Sequence, residues 1–375
     1  MIPESVFAET LLQFFAPIRP FLDDPTVSEV MINGPSRIFV ERRGQLQLTD
    51  ARFQDSEALD AALRNLAQYV GKHADAERPI LEGRLPDGSR VEAVLPPAAP
   101  DGPHVAIRRF SKDTLTIERL ISFGALTRDA ADALRAMVAS KLNVIVAGGT
   151  GSGKTSMLNA LSSFIPEKER VVVIEDSREL QLQQAHVVQF EARIPDTRGR
   201  GAVTIRDLFR ASLRMRPDRI VVGEIRGGEA LDLIQAMTSG HGGCLSTLHA
   251  TYPRDTLTRL ETMAMMSELQ MPLLALRLQL VSALDIIVQT ARQGDGSRKV
   301  THISEVVGFS QAEAAYELED LFVRKYHPQA DGTITDELVA TGHLPRAQAR
   351  LREHGFELPE GMLSAARNRR ESSHA

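Results

Sequence analysis

The sequence predicts an α/β protein in which a smaller α+β domain precedes a larger domain built on a parallel sheet. In the first ~110 residues, short alternating segments are separated by turn residues, which is typical of paired strands. From about residue 125, apolar runs alternate with helical stretches, which indicates a parallel sheet covered by helices. A glycine-rich segment, GGTGSGKT, follows one of these runs. We therefore expect domains at residues 1–110 and 125–375, the second with a C-terminal extension, and a linker at 111–124.

The first domain is predicted to combine a small sheet with one main helix. The segments TVSEVMING, SRIFVERRG and LQLTD alternate in part and predict strands. Apolar residues recur at helical spacing in SEALDAALRNLAQYVG, which predicts a helix that ends at Gly71. The segment ILEGRLPDGSRVEAVLPP predicts a hairpin turned at Pro86-Asp87-Gly88, and VAIRRF predicts a last strand.

The second domain is predicted to alternate strands with helices. Its apolar strand candidates are LNVIVA, VVVI, IVV and GCLSTL, and the helical stretches include MLNALSSFI, IRDLFRASLRM and EALDLIQAMTSG. The segment LDIIVQTARQGDGSRKVTHISEVVGF predicts a hairpin turned at Gly294-Asp295-Gly296. The final residues, SAARNRRESSHA, are polar, and we expect them to be frayed.

Composition and charge restrict the class of protein. A net charge of −5 gives no general attraction to nucleic acid or acidic lipid. The most apolar long segment is interrupted by Arg277 and Asp285, and no apolar run reaches the ~18 residues that a membrane span needs. Glu4 and Glu9 lie where a signal peptide would be basic, and the single Cys244 excludes an internal disulfide and a multi-cysteine zinc site. We therefore expect an intracellular protein.

The segment GGTGSGKT matches the phosphate-loop pattern G-x-x-x-x-G-K-[ST]. Its glycines allow backbone N–H groups to face phosphate, Lys154 adds a positive charge, and Thr155 can bind Mg²⁺. An apolar strand candidate precedes the motif and a helix begins at its end, which is the context that the motif requires. The segment therefore predicts a nucleotide site formed by Gly148, Gly149, Thr150, Gly151, Ser152, Gly153, Lys154, Thr155 and Ser156.

The stretch RIVVGEIRGG lacks an expected acidic residue. Many ATPases hold magnesium with an acidic pair after an apolar run, but here the pair is Gly223–Glu224. VVVIED ends in Glu175 and Asp176, and GCLSTLHA places His249 at a third strand end. Because ligands of open parallel sheets lie beyond the carboxyl ends of the strands, these groups should converge near the γ-phosphate. We expect Glu175 and Asp176 to supply the missing charge, so that one carboxylate holds Mg²⁺ through water and another orients the attacking water.

Phosphoryl transfer also requires arginine, because guanidinium groups stabilise the charge that spreads over the phosphate oxygens. One group of candidates has helical i, i+4, i+8 spacing and is either a solvated helix face or a phosphate contact: Arg206, Arg210 and Arg214. A second group lies on strands of the first domain and indicates an interface or a phosphate contact: Arg84, Arg90, Arg108 and Arg109.

These motifs resemble those of the type II/type IV secretion ATPase superfamily. GGTGSGKTS, VIEDSREL, VTIRDLFRASLRMRPDRIVVGEIRGGEALDLIQAMTSGH and STLHA are similar to its phosphate loop, Asp box, Walker B region and His box, in that order. The Gly-Glu ending of the Walker B stretch is a feature of that family. Within it, VMINGPSRIFVERRGQL, RLPDGSRVEAVLPPAAPDGP, VTHISEVVG and ATGHLPRAQARLREHGFELP look like the CpaF-type Tad (Flp) pilus assembly ATPases. One departure is Gly242, where the family often has an acidic residue.

The resemblance implies a PAS-like first domain and a RecA-like P-loop ATPase domain, and it assigns roles to single residues. Lys154 and Thr155 would bind ATP and Mg²⁺. Glu175 would be the general base, and Glu224 would be the metal-side carboxylate, acting through water. His249 would contact the γ-phosphate and report its loss.

The resemblance further implies a homohexameric ring in which Arg90, Arg108 and Arg109 of the first domain reach a nucleotide. It implies a cytoplasmic ATPase that couples hydrolysis to assembly of a Tad or type IV-like pilus, or to secretion. An inner-membrane platform protein would receive the motion, so membrane association would be indirect and no direct contact with nucleic acid is expected. Two alternatives stay open: a type IV secretion or conjugation-type motor that acts on protein or nucleic acid, and a non-hydrolysing, nucleotide-gated assembly regulator.

Overall fold

The computed structural model describes residues 4–42, 44–110, 115–193, 195, 199–269, 271–329 and 334–373. The chain separates into two compact units, residues 1–113 and 114–375. Part of the expected linker, residues 111–114, lies outside the described residues.

The first unit is a six-stranded antiparallel sheet packed against helices. Its strands are β1 (Val27–Asn33), β2 (Ile38–Arg42), β3 (Gln45–Leu48), β4 (Ile80–Arg84), β5 (Arg90–Val94) and β6 (His104–Arg108), in the spatial order β3-β2-β1-β6-β5-β4. Its helices are α1 (Glu4–Phe14), α2 (Arg19–Asp23) and α3 (Ser56–Tyr69).

Local sequence explains the main helix and the hairpin of this unit. The side chain of Asp55 caps α3 by accepting the N–H of Ala58 at 2.8 Å, and the helix buries its apolar stripe in the unit's core. In the β4–β5 turn, Asp87 accepts the N–H and the hydroxyl of Ser89, and Gly88 has a φ of 92° that favours glycine. Both elements were predicted from the sequence.

The second unit is a nine-stranded mixed sheet in the order β15-β14-β13-β12-β7-β11-β10-β8-β9. Its strands are β7 (Val144–Gly148), β8 (Val171–Glu175), β9 (Val187–Glu191), β10 (Arg219–Val222), β11 (Leu245–His249), β12 (Ile286–Arg292), β13 (Arg298–Ser310), β14 (Ala315–Pro328) and β15 (Ile334–Ala340). The six strands from β12 to β9 are parallel, and β13 to β15 extend the sheet in antiparallel fashion.

Nine helices are described in this unit. They are α4 (Ile117–Ser122), α5 (Arg128–Ala139), α6 (Lys154–Ser162), α7 (Ile205–Ser212), α8 (Glu229–Thr238), α9 (Pro253–Met265), α10 (Leu273–Ala283), α11 (Gln348–Glu353) and α12 (Glu360–Ser373). Alternate residues of β7 belong to two different apolar cores, Val144 and Val146 to one and Ile145 and Ala147 to the other. Both faces of the sheet are therefore covered, which explains why its central strands are continuous apolar runs.

One sequence expectation differs from the structure. The final polar residues were expected to be frayed, and this was wrong up to residue 373, because they belong to α12, which buries Met362 and Ala366. The helix α4 falls inside residues 111–124, and its Ile117 and Leu120 are buried in the core of the second unit. In the described part of the chain, no helix has both the length and the apolar character to cross a membrane.

Candidate nucleotide site

The glycine-rich segment joins the end of β7 to the start of α6. The helix begins at Lys154, and Gly153 before it has a φ of 91°, a left-handed conformation that favours glycine. A Cβ at Gly148 would lie 2.4 Å from the hydroxyl oxygens of Ser152 and Thr290, so no larger residue fits there. The tight turn therefore delivers the chain directly to a helix N-terminus, where backbone N–H groups favour phosphate.

Lys154 is buried within the loop that carries it. Its Nζ donates to the carbonyl oxygen of Gly149 at 3.0 Å and lies 3.3 Å from Nδ1 of His249. The next two residues of the predicted set, Thr155 and Ser156, lie in the first turn of α6 and are half-buried. The apex of the loop, residues 149–151, is exposed. The loop is thus exposed to solvent at its apex, and at its base it encloses the ammonium group of Lys154.

The predicted polar groups lie at the carboxyl ends of neighbouring parallel strands. His249 at the end of β11 is the register partner of Gly148 at the end of β7. Glu224 follows the end of β10, and Glu175 is the last residue of β8. Because β7, β11, β10 and β8 are consecutive in the sheet, the groups that they carry lie along one edge, beside the phosphate loop.

A chain of hydrogen bonds connects the lysine to the acidic residues. Nε2 of His249 is 3.0 Å from Oε1 of Glu224, so this nitrogen carries the proton, and Nζ of Lys154 lies 3.3 Å from Nδ1 and 3.5 Å from Nε2 of the same ring. Burial and the neighbouring Lys154 lower the pKa of His249. The imidazole is therefore neutral near pH 7 and acts as a hydrogen-bonded bridge between the cation and the carboxylate.

Arg226 links the two acidic segments. Its Nη2 lies 2.7 Å from Oε2 of Glu224, and its Nη1 lies 2.8 Å from Oδ2 of Asp176. The carboxylate of Asp176 is thus paired with a guanidinium, whereas the neighbouring Glu175 accepts backbone N–H groups. Arg226 was not selected from the sequence, although it follows Glu224 by two residues in GEIR.

Glu175 is almost fully buried, with 2% of its surface exposed. Its Oε1 accepts the backbone N–H groups of Glu179 at 2.8 Å and Leu180 at 3.0 Å. Among the described residues, no hydrogen-bond partner lies against Oε2. Burial raises the pKa of Glu175 to about 7, although the two N–H groups oppose the shift. A carboxyl group with a pKa in this range is suited to take a proton from water at neutral pH.

The missing acidic residue at position 223 has a steric explanation. A Cβ on Gly223 would lie 2.9 Å from Cγ of Glu175, closer than two carbon atoms can approach. The strands β8 and β10 are adjacent, so the side chain of Glu175 crosses the backbone of the residue that follows β10. Glycine at 223 therefore makes room for Glu175, which brings its own carboxyl group to this edge of the sheet.

Several of the predicted arginines have structural partners. Arg206 and Arg210 of α7 both bind Asp232 of α8, with closest distances of 2.7 and 2.9 Å, so this part of the stripe ties two helices together. Arg214 lies beyond the end of α7. In the first unit, Arg109 donates to three backbone carbonyls, those of residues 22, 24 and 27, at 2.5 to 2.7 Å.

The other three candidate arginines of the first unit lie side by side on neighbouring strands. Arg84 is the register partner of Arg90, and Arg90 is the register partner of Arg108, so three neighbouring strands each contribute one guanidinium. Their contact with a nucleotide stays a prediction.

The glycine at position 242 lies away from the phosphate loop. Gly242 precedes β11, whereas His249 ends that strand, so the two positions belong to opposite edges of the sheet. A Cβ at Gly242 would lie 3.4 Å from the carbonyl oxygen of Lys141 and 3.6 Å from Nη2 of Arg350. A side chain at this position would therefore face the C-terminal segment.

The hairpin formed by β12 and β13 also contacts the phosphate loop, which the sequence did not reveal. The hydroxyl of Thr290 lies 2.9 Å from that of Ser152 and donates to the carbonyl of Ala147 at 3.0 Å. Nε of Arg298 donates to the carbonyl oxygen of Gly151 at 3.0 Å. These partners are about 140 residues apart along the chain, and only the pairing of β12 with β7 brings them together.

Comparisons with known proteins identify a family that the sequence matches. A family model described as Type II/IV secretion system protein matches residues 12–320. A putative conjugal transfer protein of Mycobacterium tuberculosis is 33% identical over 338 residues, which cover 88% of this chain and 93% of that protein. The type IV secretion system protein PtlH of Bordetella pertussis is 34% identical over 307 residues, which cover 75% and 91%.

Among solved structures, the ATPase DotB of Legionella pneumophila has a TM-score of 0.55 at 21% identity. The likeness covers 77% of this chain and 79% of DotB, and it shows a shared fold.

Proposed function

Because the chain belongs to the Type II/IV secretion system protein family, we propose that it hydrolyses Mg-ATP to drive a secretion or pilus-assembly machine. The observation that carries the proposal is the placement of a lysine, a histidine and two glutamates at neighbouring strand ends beside a phosphate loop: Lys154, His249, Glu175 and Glu224. A buried carboxyl group with a raised pKa at that position favours hydrolysis over nucleotide binding alone.

Each side chain has a role that follows from its contacts. Lys154 brings its charge to the β- and γ-phosphates. Glu175 takes the proton of the attacking water on its buried Oε2, and its other oxygen is fixed by two backbone N–H groups. His249 lies one hydrogen bond from both Lys154 and Glu224, so loss of the γ-phosphate beside the lysine alters its contacts.

The residues of the site fit a magnesium ion. Thr155 and Glu224, the latter through water, would hold it, and the ion would neutralise charge on the phosphate oxygens. Both oxygens of Glu224 face cationic or N–H donor groups, those of Arg226 and His249. In the described part of the chain, no group of three or more His, Cys, Asp or Glu side chains could hold a metal by itself. Phosphate and water oxygens would therefore complete the coordination, as is usual for Mg²⁺.

We also propose that the working form is a homohexameric ring, cytoplasmic and held at the inner membrane through a platform protein. Arg90 and Arg108, paired across β5 and β6, are the arginines that we assign to phosphate contact. Arg109 would act by fixing the end of β6, because its guanidinium binds three backbone carbonyls.

Within the family, the sequence segments of both units favour assembly of a Tad-type pilus. A conjugation or type IV secretion motor is the second candidate, because two relatives above 30% identity are described as conjugal transfer and type IV secretion proteins. Stimulation of hydrolysis by DNA, with a steep dependence on salt, would favour a motor that acts on nucleic acid.

The proposal is tested by Mg-ATP hydrolysis per subunit across a series of protein concentrations. We expect turnover that rises with concentration and falls by about 100-fold or more in Lys154→Ala and Glu175→Gln. Arg135→Ala, which removes an exposed helix arginine paired with Asp132, is the control and should match the wild type. Tight Mg-ATP binding without turnover at any concentration would instead support the nucleotide-gated regulator.

A further inference from the structure

We propose that Arg298 is a positioning residue that holds the phosphate loop in its nucleotide-binding shape by bridging the loop's two left-handed glycines. The inference rests on the proposed function, because it assigns a role in nucleotide binding to a residue of the β12–β13 hairpin.

The contacts of Arg298 lie at two special points of the loop. Its Nε donates to the carbonyl oxygen of Gly151 at 3.0 Å. Its aliphatic carbons lie 3.4 to 4.0 Å from the position that a Cβ on Gly153 would take. Gly151 has a φ of 69° and Gly153 a φ of 91°. One side chain thus bonds to one left-handed glycine and covers the other.

These two glycines are the positions at which the loop is most easily deformed. Glycine loses more conformational freedom on ordering than any other residue, so a loop rich in glycine has many competing shapes. A phosphate-binding nest needs one of them, in which successive N–H groups point to the same centre. A hydrogen bond and a covering side chain at Gly151 and Gly153 restrict the loop before the nucleotide arrives, which lowers the entropy that binding must remove.

The same hairpin holds the other half of the loop. The hydroxyl of Thr290 contacts Ser152, and Gly148 is pressed against the backbone of Thr290, where a Cβ would lie 2.6 Å from the carbonyl oxygen. The strand β12 therefore fixes the beginning of the loop, and Arg298 at the start of β13 fixes its end. Arg292, the register partner of Arg298, brings a second guanidinium nitrogen to 3.6 Å from the Cβ position of Gly151.

Two explanations of Arg298 predict different measurements. If it acts through the neutral carbonyl of Gly151, its effect on affinity persists at high salt. If it acts as a charge on the nucleotide phosphates, screening at high salt removes most of the effect, since the side chain is exposed. The contacts with Gly151 and Gly153 favour the first explanation.

The experiment compares Mg-ADP binding and steady-state ATP hydrolysis in the full-length wild type, Arg298→Ala and Arg298→Met. The methionine variant keeps an unbranched chain over Gly153 but cannot donate to Gly151. Arg135→Ala is the charge-matched control, and Lys154→Ala defines the loss of the phosphate site.

For both Arg298 variants we expect Kd for Mg-ADP and KM for ATP to rise about 5- to 10-fold, the usual effect of losing one hydrogen bond. We expect kcat within about twofold, because the loop holds the phosphates equally in the ground state and the transition state. The increase in Kd should be the same at low and high salt, and the thermal unfolding midpoint should not change.

The possible outcomes distinguish a failure of this inference from a failure of the proposed function. Wild-type protein that binds no Mg-ADP would remove the proposed function and the inference together. Wild-type protein that binds Mg-ADP while both Arg298 variants bind equally well would overturn the inference alone. The inference would also be overturned by an Arg298→Met variant with wild-type affinity, or by an increase in Kd that vanishes at high salt.

Discussion

At the scale of single residues, the contact between Gly223 and Glu175 explains why this stretch departs from the usual acidic pair. The expected first acid of the Walker B pair is replaced by Gly223, and the carboxyl group of Glu175 crosses that position. The sequence predicted that the neighbouring acidic segment compensates for position 223. It could not show that the glycine is required sterically, because that depends on the adjacency of β8 and β10.

Restoring the acidic pair is therefore expected to reduce the proposed ATP hydrolysis. In Gly223→Asp, the new Cβ meets Cγ of Glu175 at 2.9 Å and displaces the buried carboxyl group. We expect turnover to fall by about tenfold or more, since a general base contributes about 100- to 10,000-fold when correctly placed. Gly223→Ala is the matched control, because it adds the Cβ without the charge and should be impaired to a similar degree. Wild-type turnover in the alanine variant would contradict the steric explanation.

The raised pKa of Glu175 predicts how turnover depends on pH. The general base must be ionised, so kcat should rise with pH through an apparent pKa near 7 and level off above it. The profile should be measured with Arg135→Ala as a control, which is expected to follow the wild type. A profile that is flat between pH 6 and pH 8 (the window around this pKa) would argue against Glu175 as the base.

At the scale of elements, the sequence predicted the helices and strands that follow from a local pattern such as a helix cap or a turn. The helix α3 and the β4–β5 hairpin follow from an Asp cap and an Asp-Gly turn. The strand β14 was not predicted, because Arg324 interrupts its apolar pattern. In the structure this arginine is buried, donates to two backbone carbonyls and pairs with Asp336. A charged side chain that is satisfied inside the sheet cannot be distinguished from a loop residue by periodicity alone.

The two adjacent arginines at the end of β6 are expected to behave differently. Arg109→Ala removes hydrogen bonds to three carbonyls and should destabilise the first unit by about 2–3 kcal/mol. Arg108→Ala removes an exposed side chain, so we expect unchanged stability and, if this residue contacts phosphate, a lower kcat. Hydrogen exchange of the β1 and β6 amides measures the first effect, and ATP hydrolysis measures the second. A stable Arg109→Ala variant that has lost turnover would reverse the two assignments.

At the scale of the whole molecule, one strand of the second unit, β13, contacts both the phosphate loop and the C-terminal segment that contains α11. The strand β13 begins at Arg298, beside the phosphate loop, and further along it carries Glu305. Both carboxylate oxygens of Glu305 accept the backbone N–H of Arg346, at 2.9 and 3.1 Å, just before α11. The segment ATGHLPRAQARLREHGFELP resembles the CpaF-type ATPases, but the sequence did not predict its contact with Glu305. A buried carboxylate that accepts a backbone N–H leaves no periodic pattern in a sequence.

This contact predicts that stability depends on pH through Glu305. Burial raises the pKa of Glu305 to about 7, and the nearby Glu319 and Asp285 add to the shift, whereas the Arg346 N–H and guanidinium oppose it. A carboxyl group whose pKa is higher in the folded state than the ordinary 4.5 holds its proton more tightly when folded. Its contribution to stability is therefore greatest below pH 4.5, declines as the pH rises from there to about 7, and is constant above that.

Glu305→Gln removes this dependence, since glutamine keeps an acceptor for the Arg346 N–H and cannot ionise. We expect the variant to gain about 1–2 kcal/mol relative to the wild type between pH 5 and pH 8, measured as the change in the free energy of urea unfolding. Glu353→Gln, an exposed position on α11, is the control and should leave the pH dependence of the wild type intact. If Glu305→Gln and the wild type lose stability in parallel as the pH rises, the charge of Glu305 does not govern the docking of the C-terminal segment.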